Sequence, residues 1–325
     1  MPKELTHWMV ARATASKLDP HAAPRTAEAV RACPDAFLLG AVAHDGPFYL
    51  PKNERMVRLG DKLHGKDTDD AYAPMKRVLA LPAGEAIPSS AIAFAAGALS
   101  HLAADTVFHP AVFYFTGFPS HSNRAVAGSH MFRHRAFEAA MDLHLLSAHG
   151  SGIDRKLKTL LGRVTAGSDA KGLLAALARF YGAEGSSLSD HEAKGIVEQA
   201  GKTQGLFSKA PLRLLARLLS LTHAETNADV SSLFYVRNSA WNGHFTSHRP
   251  YRDPISGVEG VFDAQDFFDS TVHRGLALVG NLERALDGDP AAFPYPGPCL
   301  DSGHPVNDDQ TMRYGDPALE ASEIR

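Results

Sequence analysis

The sequence predicts an all-α protein: a helical bundle with a metal cluster in the core of its N-terminal half, followed by a mainly helical C-terminal half. Three observations predict it. Apolar residues recur at helical rather than alternating spacing. The stretch from Ser89 to His109 is apolar on nearly every face, as a buried central helix would be. The ionisable residues of that stretch, His101, Asp105 and His109, stand four apart, and His130, His134 and Glu138 repeat the spacing further on. Residues at i and i+4 share one face of a helix, so each segment aims metal-capable side chains into one interior pocket.

The elements follow in order. Thr6 is placed to cap a first helix through Trp8, Met9, Ala11 and Ala13 that Pro20 stops, and Arg25 to Ala32 forms a second. The apolar run Phe37 to Ala43 is broken by Gly46-Pro47, which leaves Asp45 at its end, poised to reach into a site. Asn53 to His64 and Ala73 to Leu81 are helical, the second with Pro74 in its first turn, and Lys66 to Asp70 is a charged loop. Ser89 or Ser90 starts the long apolar helix, and His109-Pro110 is a pair that commonly ends one. Tyr114 to Gly128 reads as an aromatic loop, after which Ser129 can cap the helix carrying His130, His134, Glu138 and Asp142.

Gly150 to Asp154 marks a boundary. Beyond it Lys156 to Leu161, Leu173 to Tyr181, Glu192 to Ala200 and Pro211 to Ala228 have helical periodicity. No β alternation stands out, and the stretch from Trp241 to Gly260 is irregular and aromatic. Ala264 to Leu286 is a last helix, and from about Asp287 proline and glycine predominate in an irregular tail expected to wrap the surface.

Composition narrows the classes of function. Thirty-three Lys plus Arg against 36 Asp plus Glu leave a formal charge of −3, which gives no global electrostatic case for nucleic acid or an anionic membrane. The cysteines are two, Cys33 and Cys299, so neither a disulfide framework nor a thiolate zinc knuckle is indicated and any metal must be held by nitrogen and oxygen. The amino terminus has no apolar run of signal-peptide length and no stretch approaches a membrane span, so the expected location is cytoplasmic. More than half of the 17 histidines fall before residue 150, which places the chemistry in the first half.

A charged Asp105 inside so apolar a helix costs on the order of several kcal/mol unless it is paired or ligated. Metal ligation resolves that conflict, and a carboxylate with histidines on its own helical face is a natural bridge between two ions. Paired ions suit the in-line displacement of a phosphoryl group, whereas the zinc-protease pattern His-Glu-x-x-His is absent. Zinc, manganese and iron all accept this ligand set.

The ordered series His7, Asp45 in Ala-Val-Ala-His-Asp-Gly-Pro, His64 in Lys-Leu-His-Gly-Lys-Asp, His101-x-x-x-Asp105-x-x-x-His109 and His134-x-x-x-Glu138 resembles the zinc-dependent phospholipase C family over about residues 1–145. That family's fold, shared with the P1-type nucleases, is an all-α bundle. The resemblance implies two or three zinc ions: one held by Asp45, His64, His101 and Asp105, one near His7 with Asp105 as bridge, and one held by His109, His134 and Glu138. It implies Asp45 as the catalytic base that orients or deprotonates water. The substrate implied is a phosphoester, phospholipid above all; a soluble phosphoester or single-stranded nucleic acid is the lesser option. Residues 1–149 would then be the catalytic helical domain and residues 150–325 a mainly helical region with no counterpart in the resemblance.

Two features depart from the family pattern. The secreted members bind one ion through a processed amino-terminal tryptophan, whereas this chain begins Met-Pro. The one-turn gap from Asp105 to His109 is short for the family, which leaves His121 or His130 as an alternative ligand, with His130 otherwise orienting a ligand from behind. Phe113, Tyr114, Phe115 and Phe118 are read as packing, with a substrate mouth as the alternative. Two other functions compete. An HD-type metal phosphohydrolase would use His44-Asp45 with His7 or His21 upstream and Asp105 downstream, leaving His134 and Glu138 idle. A noncatalytic metal-stabilised helical binding protein would keep the ligands and use its second half as a partner surface.

Overall fold

The computed structural model describes residues 4–50, 52–66, 70–81, 84–118, 124–151, 156–167, 169–182, 188–207, 209–219, 234–235 and 239–319. Within these the chain is α-helical apart from one small hairpin. The helices are α1 (Glu4–Ser16), α2 (Pro24–Ala32), α3 (Pro34–Ala43), α4 (Glu54–Leu63), α5 (Ala73–Leu79), α6 (Ser89–Thr116) and α7 (Arg124–His149). There follow α8 (Leu157–Ala166), α9 (Ala170–Tyr181), α10 (Asp190–Phe207), α11 (Ala210–Leu219), α12 (Ser239–Phe245) and α13 (Ala264–Leu286). Strands β1 (Arg249–Arg252) and β2 (Glu259–Phe262) pair antiparallel between α12 and α13, with Arg249 opposite Phe262.

α6 is the axis on which the rest is assembled: α1, α2, α3, α5, α7, α9 and α13 all pack against it. Its 28 residues are long and apolar enough to cross a bilayer, which corrects the expectation that no stretch approaches that length. Here the helix is wrapped by protein on every side, with 26 of its residues buried, so its apolar surface is spent on the core. The closest crossing is with α3. Gly40 meets the Phe94 carbonyl and Gly97 meets the Phe37 carbonyl, and a Cβ at either position would collide with that oxygen. These reciprocal glycines bring the two backbones together and set Ala41 beside His101.

Four local expectations are corrected. Thr6 lies inside α1 rather than ahead of it, and the cap comes from α7: Asp142 Oδ1 accepts from Thr6 N at 2.9 Å and from its hydroxyl, while Oδ2 accepts from Leu5 N at 3.3 Å. Ser129 likewise lies inside α7, which begins at Arg124. The His109-Pro110 pair does not end α6, which runs on to Thr116. Proline already has a helical φ and costs one hydrogen bond, at the Thr106 carbonyl, which packing all round the helix outweighs. The fourth is the hairpin, where Trp241 to Gly260 was expected to be irregular. Its four-residue strands are mostly exposed, with Phe262 the buried contact, so they leave no alternation to read.

The tail corrects the reading as a surface wrap. Ala292, Phe293, Cys299, Leu300 and Val306 are buried in or beside the same core that α6 organises.

Candidate metal centre

α3 ends at Ala43, and a single turn of 3-10 helix, Gly46–Tyr49, follows Asp45. A side chain at Gly46 would meet the Tyr181 hydroxyl at 2.6 Å, and that hydroxyl donates to the Ala43 carbonyl, so the corner holding Asp45 is pinned from α9. His64 sits at the C-terminal end of α4, which Asn53 caps at the other end. α6 contributes His101, Asp105 and His109 from successive turns of one face. α7 contributes His134 and Glu138, and α1 contributes His7.

These side chains converge as two groups. Asp45, His64, His101 and Asp105 present ligand atoms that all lie within 4.8 Å of one another, and so do His109, His134 and Glu138. Asp105 stands between the groups. Its Oδ2 faces His101 Nε2 at 3.0 Å and His64 Nε2 at 3.5 Å, while Oδ1 faces His7 Nε2 at 3.5 Å and His109 Nε2 at 3.8 Å. His7 also lies 3.9 Å from Asp45 Oδ2 and stacks on His101 with ring centroids 3.9 Å apart.

The ring tautomers follow from the backbone. Nδ1 of His64, His101 and His109 lies 2.7, 3.0 and 2.8 Å from the carbonyl oxygens of Gly60, Ala41 and Leu300. A carbonyl can only accept, so each Nδ1 donates its proton and Nε2 is the nitrogen left facing the carboxylates. Those three Nε2 atoms, Asp45 Oδ1 and both oxygens of Asp105 are buried with no hydrogen-bond partner among the described residues. Lone pairs facing carboxylate oxygens repel one another unless a cation stands between them. The donor set fits zinc or a similar ion in every respect: nitrogen and oxygen ligands, fixed ring orientation, and acceptors left over for the ion.

The electrostatics point the same way. Burial by itself lowers the His101 pKa, but Asp105 and Asp45 outweigh it and raise the value to about 9. A proton therefore sits where an ion would bind. Burial and the neighbouring His101 charge lower His7 to about 3. Burial also lowers His134, to about 4. Asp105 is held well below the usual carboxylate range, because the surrounding histidines overcome the cost of its burial. Glu138 is held low by His134 against the same burial cost.

Of the ligand positions expected from the sequence, Asp45, His64, His101, Asp105, His109, His134 and Glu138 fall into the two groups, and His7 lies beside Asp105. His109 completes the second group, with Nε2 3.8 Å from Glu138 Oε1. His130 joins neither group: its Nδ1 donates to the Phe118 carbonyl at 2.8 Å, and it serves the corner between α6 and α7. His121 lies outside the described residues. His44 stacks on His101 at 4.5 Å and meets Phe180 edge-on, while His21 is exposed. Phe113 packs on the His134 ring at 4.8 Å, and Tyr114 and Phe115 are buried in the core.

Three residues take roles that the sequence reading left unassigned. Asp142 extends the four-residue series beyond Glu138, a signal that was available, and it fixes the first turn of α1 below His7. Leu300 and Asp301 come from the tail, where nothing in the local sequence announces them. Asp301 Oδ1 lies 3.7 Å from His109 Nδ1. Clefts of about 480 and 680 Å³ lie away from these groups, one beside Trp8, Arg12 and Phe37 and the other beside Tyr114, Tyr251 and Tyr314.

Comparison with known proteins bears on the same residues. No curated protein and no solved structure matches the chain. The family described as zinc dependent phospholipase C matches residues 6–181, more than half of the chain and a span that holds every ligand position named above. With its all-α fold and buried metal-capable groups, the chain belongs to the zinc-dependent phospholipase C family.

Proposed function

We propose that this member is a zinc-dependent phosphodiesterase that cleaves a phospholipid between glycerol and phosphate with water as the nucleophile. Asp45, His64, His101 and Asp105 would hold one ion, His109, His134 and Glu138 a second, and His7 with Asp105 a third. The observation that carries the reading is the set of buried, partnerless Nε2 and carboxylate atoms turned on common centres. Bound zinc supplies Lewis acidity toward phosphoryl oxygens and lowers the pKa of water. Asp45 would be the base, placed at the end of α3 to orient a water and take its proton. His64, His101 and His109 keep their rings fixed by their backbone bonds, so no reorientation accompanies charge development.

Metal analysis of the purified chain, paired with turnover of nitrophenyl phosphocholine and of phosphatidylcholine vesicles, tests this. Two or three zinc ions per chain and hydrolysis that Asp45→Asn abolishes are expected. Bound zinc without turnover on a broad phosphoester panel favours the noncatalytic metal-stabilised reading instead. A chain purified without chelators that holds no metal sinks both.

A further inference from the structure

We infer that the loop Gly297–Val306, more than a hundred residues beyond the family match, is a working part of the metal centre, in which Leu300 and Asp301 position His64 and His109. The inference rests on the proposed ligand sets. Leu300 is bonded at both ends of its own backbone: its N–H donates to the His64 carbonyl at 2.9 Å, and its carbonyl accepts from His109 Nδ1 at 2.8 Å. One residue therefore ties a ligand of the first group to a ligand of the second from behind. Asp301 adds charge at the same place. Its Oδ1 is 3.7 Å from His109 Nδ1 and its Oδ2 is 3.1 Å from Lys66 Nζ, two residues beyond His64, so the tail grips both histidine-bearing segments a second time. A carbonyl or carboxylate behind a ligating histidine fixes its tautomer and strengthens it as a ligand.

The loop is built to hold this position. Cys299 N donates to the His304 carbonyl at 2.7 Å, Gly303 N to the Cys299 carbonyl at 2.8 Å and Val306 N to the Gly297 carbonyl at 3.0 Å, closing it into a turn with Leu300 and Asp301 at its tip. His304 Nε2 meets Asp253 Oδ1 at 3.1 Å and anchors the far side to the hairpin turn. Gly303 has φ of 74°, and a Cβ there would lie 2.6 Å from the Thr106 carbonyl oxygen. That is the carbonyl left without its helical donor by Pro110, so the tail seats on α6 where the proline has opened it. Leu300 is fully buried.

The test compares the full chain with Gly303→Val, which lifts the loop without touching a ligand, and with Asp301→Asn and Asp301→Glu. Zinc affinity is measured by competition with a chelator, and the visible spectrum of the cobalt-loaded chain reports ligand geometry. Gly303→Val and Asp301→Asn should each weaken retention of one ion by about tenfold or more and shift the cobalt bands, while Asp301→Glu stays near the parent. If Gly303→Val does not fold, the isosteric Asp301→Asn and its charge-retaining partner decide the matter alone. Parent affinity and an unshifted cobalt spectrum in both weakened variants overturn the loop's role and leave the ligand sets standing. A parent chain that binds no zinc overturns the ligand sets, and this inference with them.

Discussion

In the proposed centre zinc and a proton would compete for His101 Nε2, and the structure sets the terms of that competition. With its pKa raised to about 9 by Asp105 and Asp45, His101 is protonated in about 99% of metal-free molecules at pH 7. His7 and His134, lowered to about 3 and about 4, carry no proton to release there. An ion entering the first group must therefore expel one proton, and its apparent affinity should rise about tenfold per pH unit until the pH reaches about 9. Between pH 6.5 and 8.5 the gain is about 100-fold. Calorimetry in two buffers of different ionisation enthalpy counts the proton directly, with about one expected at neutral pH for the ion entering the first group.

The same proton sets the stability of the metal-free chain. A folded pKa raised above the unfolded 6.5 stabilises the fold fully below about 6.5, by roughly 3 kcal/mol from His101, and the contribution is lost as the pH rises through about 9. The melting temperature of the metal-free chain should accordingly fall toward alkaline pH from this group. Asp105→Asn removes the main cause of the raised pKa and should flatten both trends. Zinc affinity that is constant from pH 6.5 to 8.5 in the parent chain, with no proton released, would refute this account of the site.

Other perturbations read other parts of the molecule. Glu138→Gln with His134→Ala should lower the zinc count by one ion and abolish activity; unchanged metal content and turnover would favour chemistry centred on His44 and Asp45 alone. Asp142→Asn loosens the cap on the first turn of α1 and should cost about 1–2 kcal/mol in chemical denaturation. Gly97→Ala places a Cβ against the Phe37 carbonyl and should cost about 3 kcal/mol, seen as a lower melting temperature with or without zinc.

The helical plan and the ligand series were legible because both are periodic. Four-residue spacing in α6 and α7 reports a shared face directly, and α13 was bounded at Ala264 and Leu286 by its own apolar pattern. His7, Asp45 and His64 were found through the resemblance of their ordered series to the family, since spacing across separate helices carries no geometric signal. The misreadings are of another kind. Thr6, Ser129 and Pro110 each obey a local rule that a tertiary partner overrides: Asp142 supplies the cap, α7 starts earlier, and dense packing carries α6 through the proline. Leu300 acts through its backbone, which no side-chain pattern can announce.

α6 is also a ruler. His101 and His109 are eight residues apart, about 12 Å along the axis, and no loop intervenes between the two ligand groups to absorb an insertion or deletion. One added residue between them would turn the downstream ligand by about 100° and point His109 away from Glu138 while leaving His101 in place. The distance between the two groups cannot change, because it is written in the pitch of a single helix.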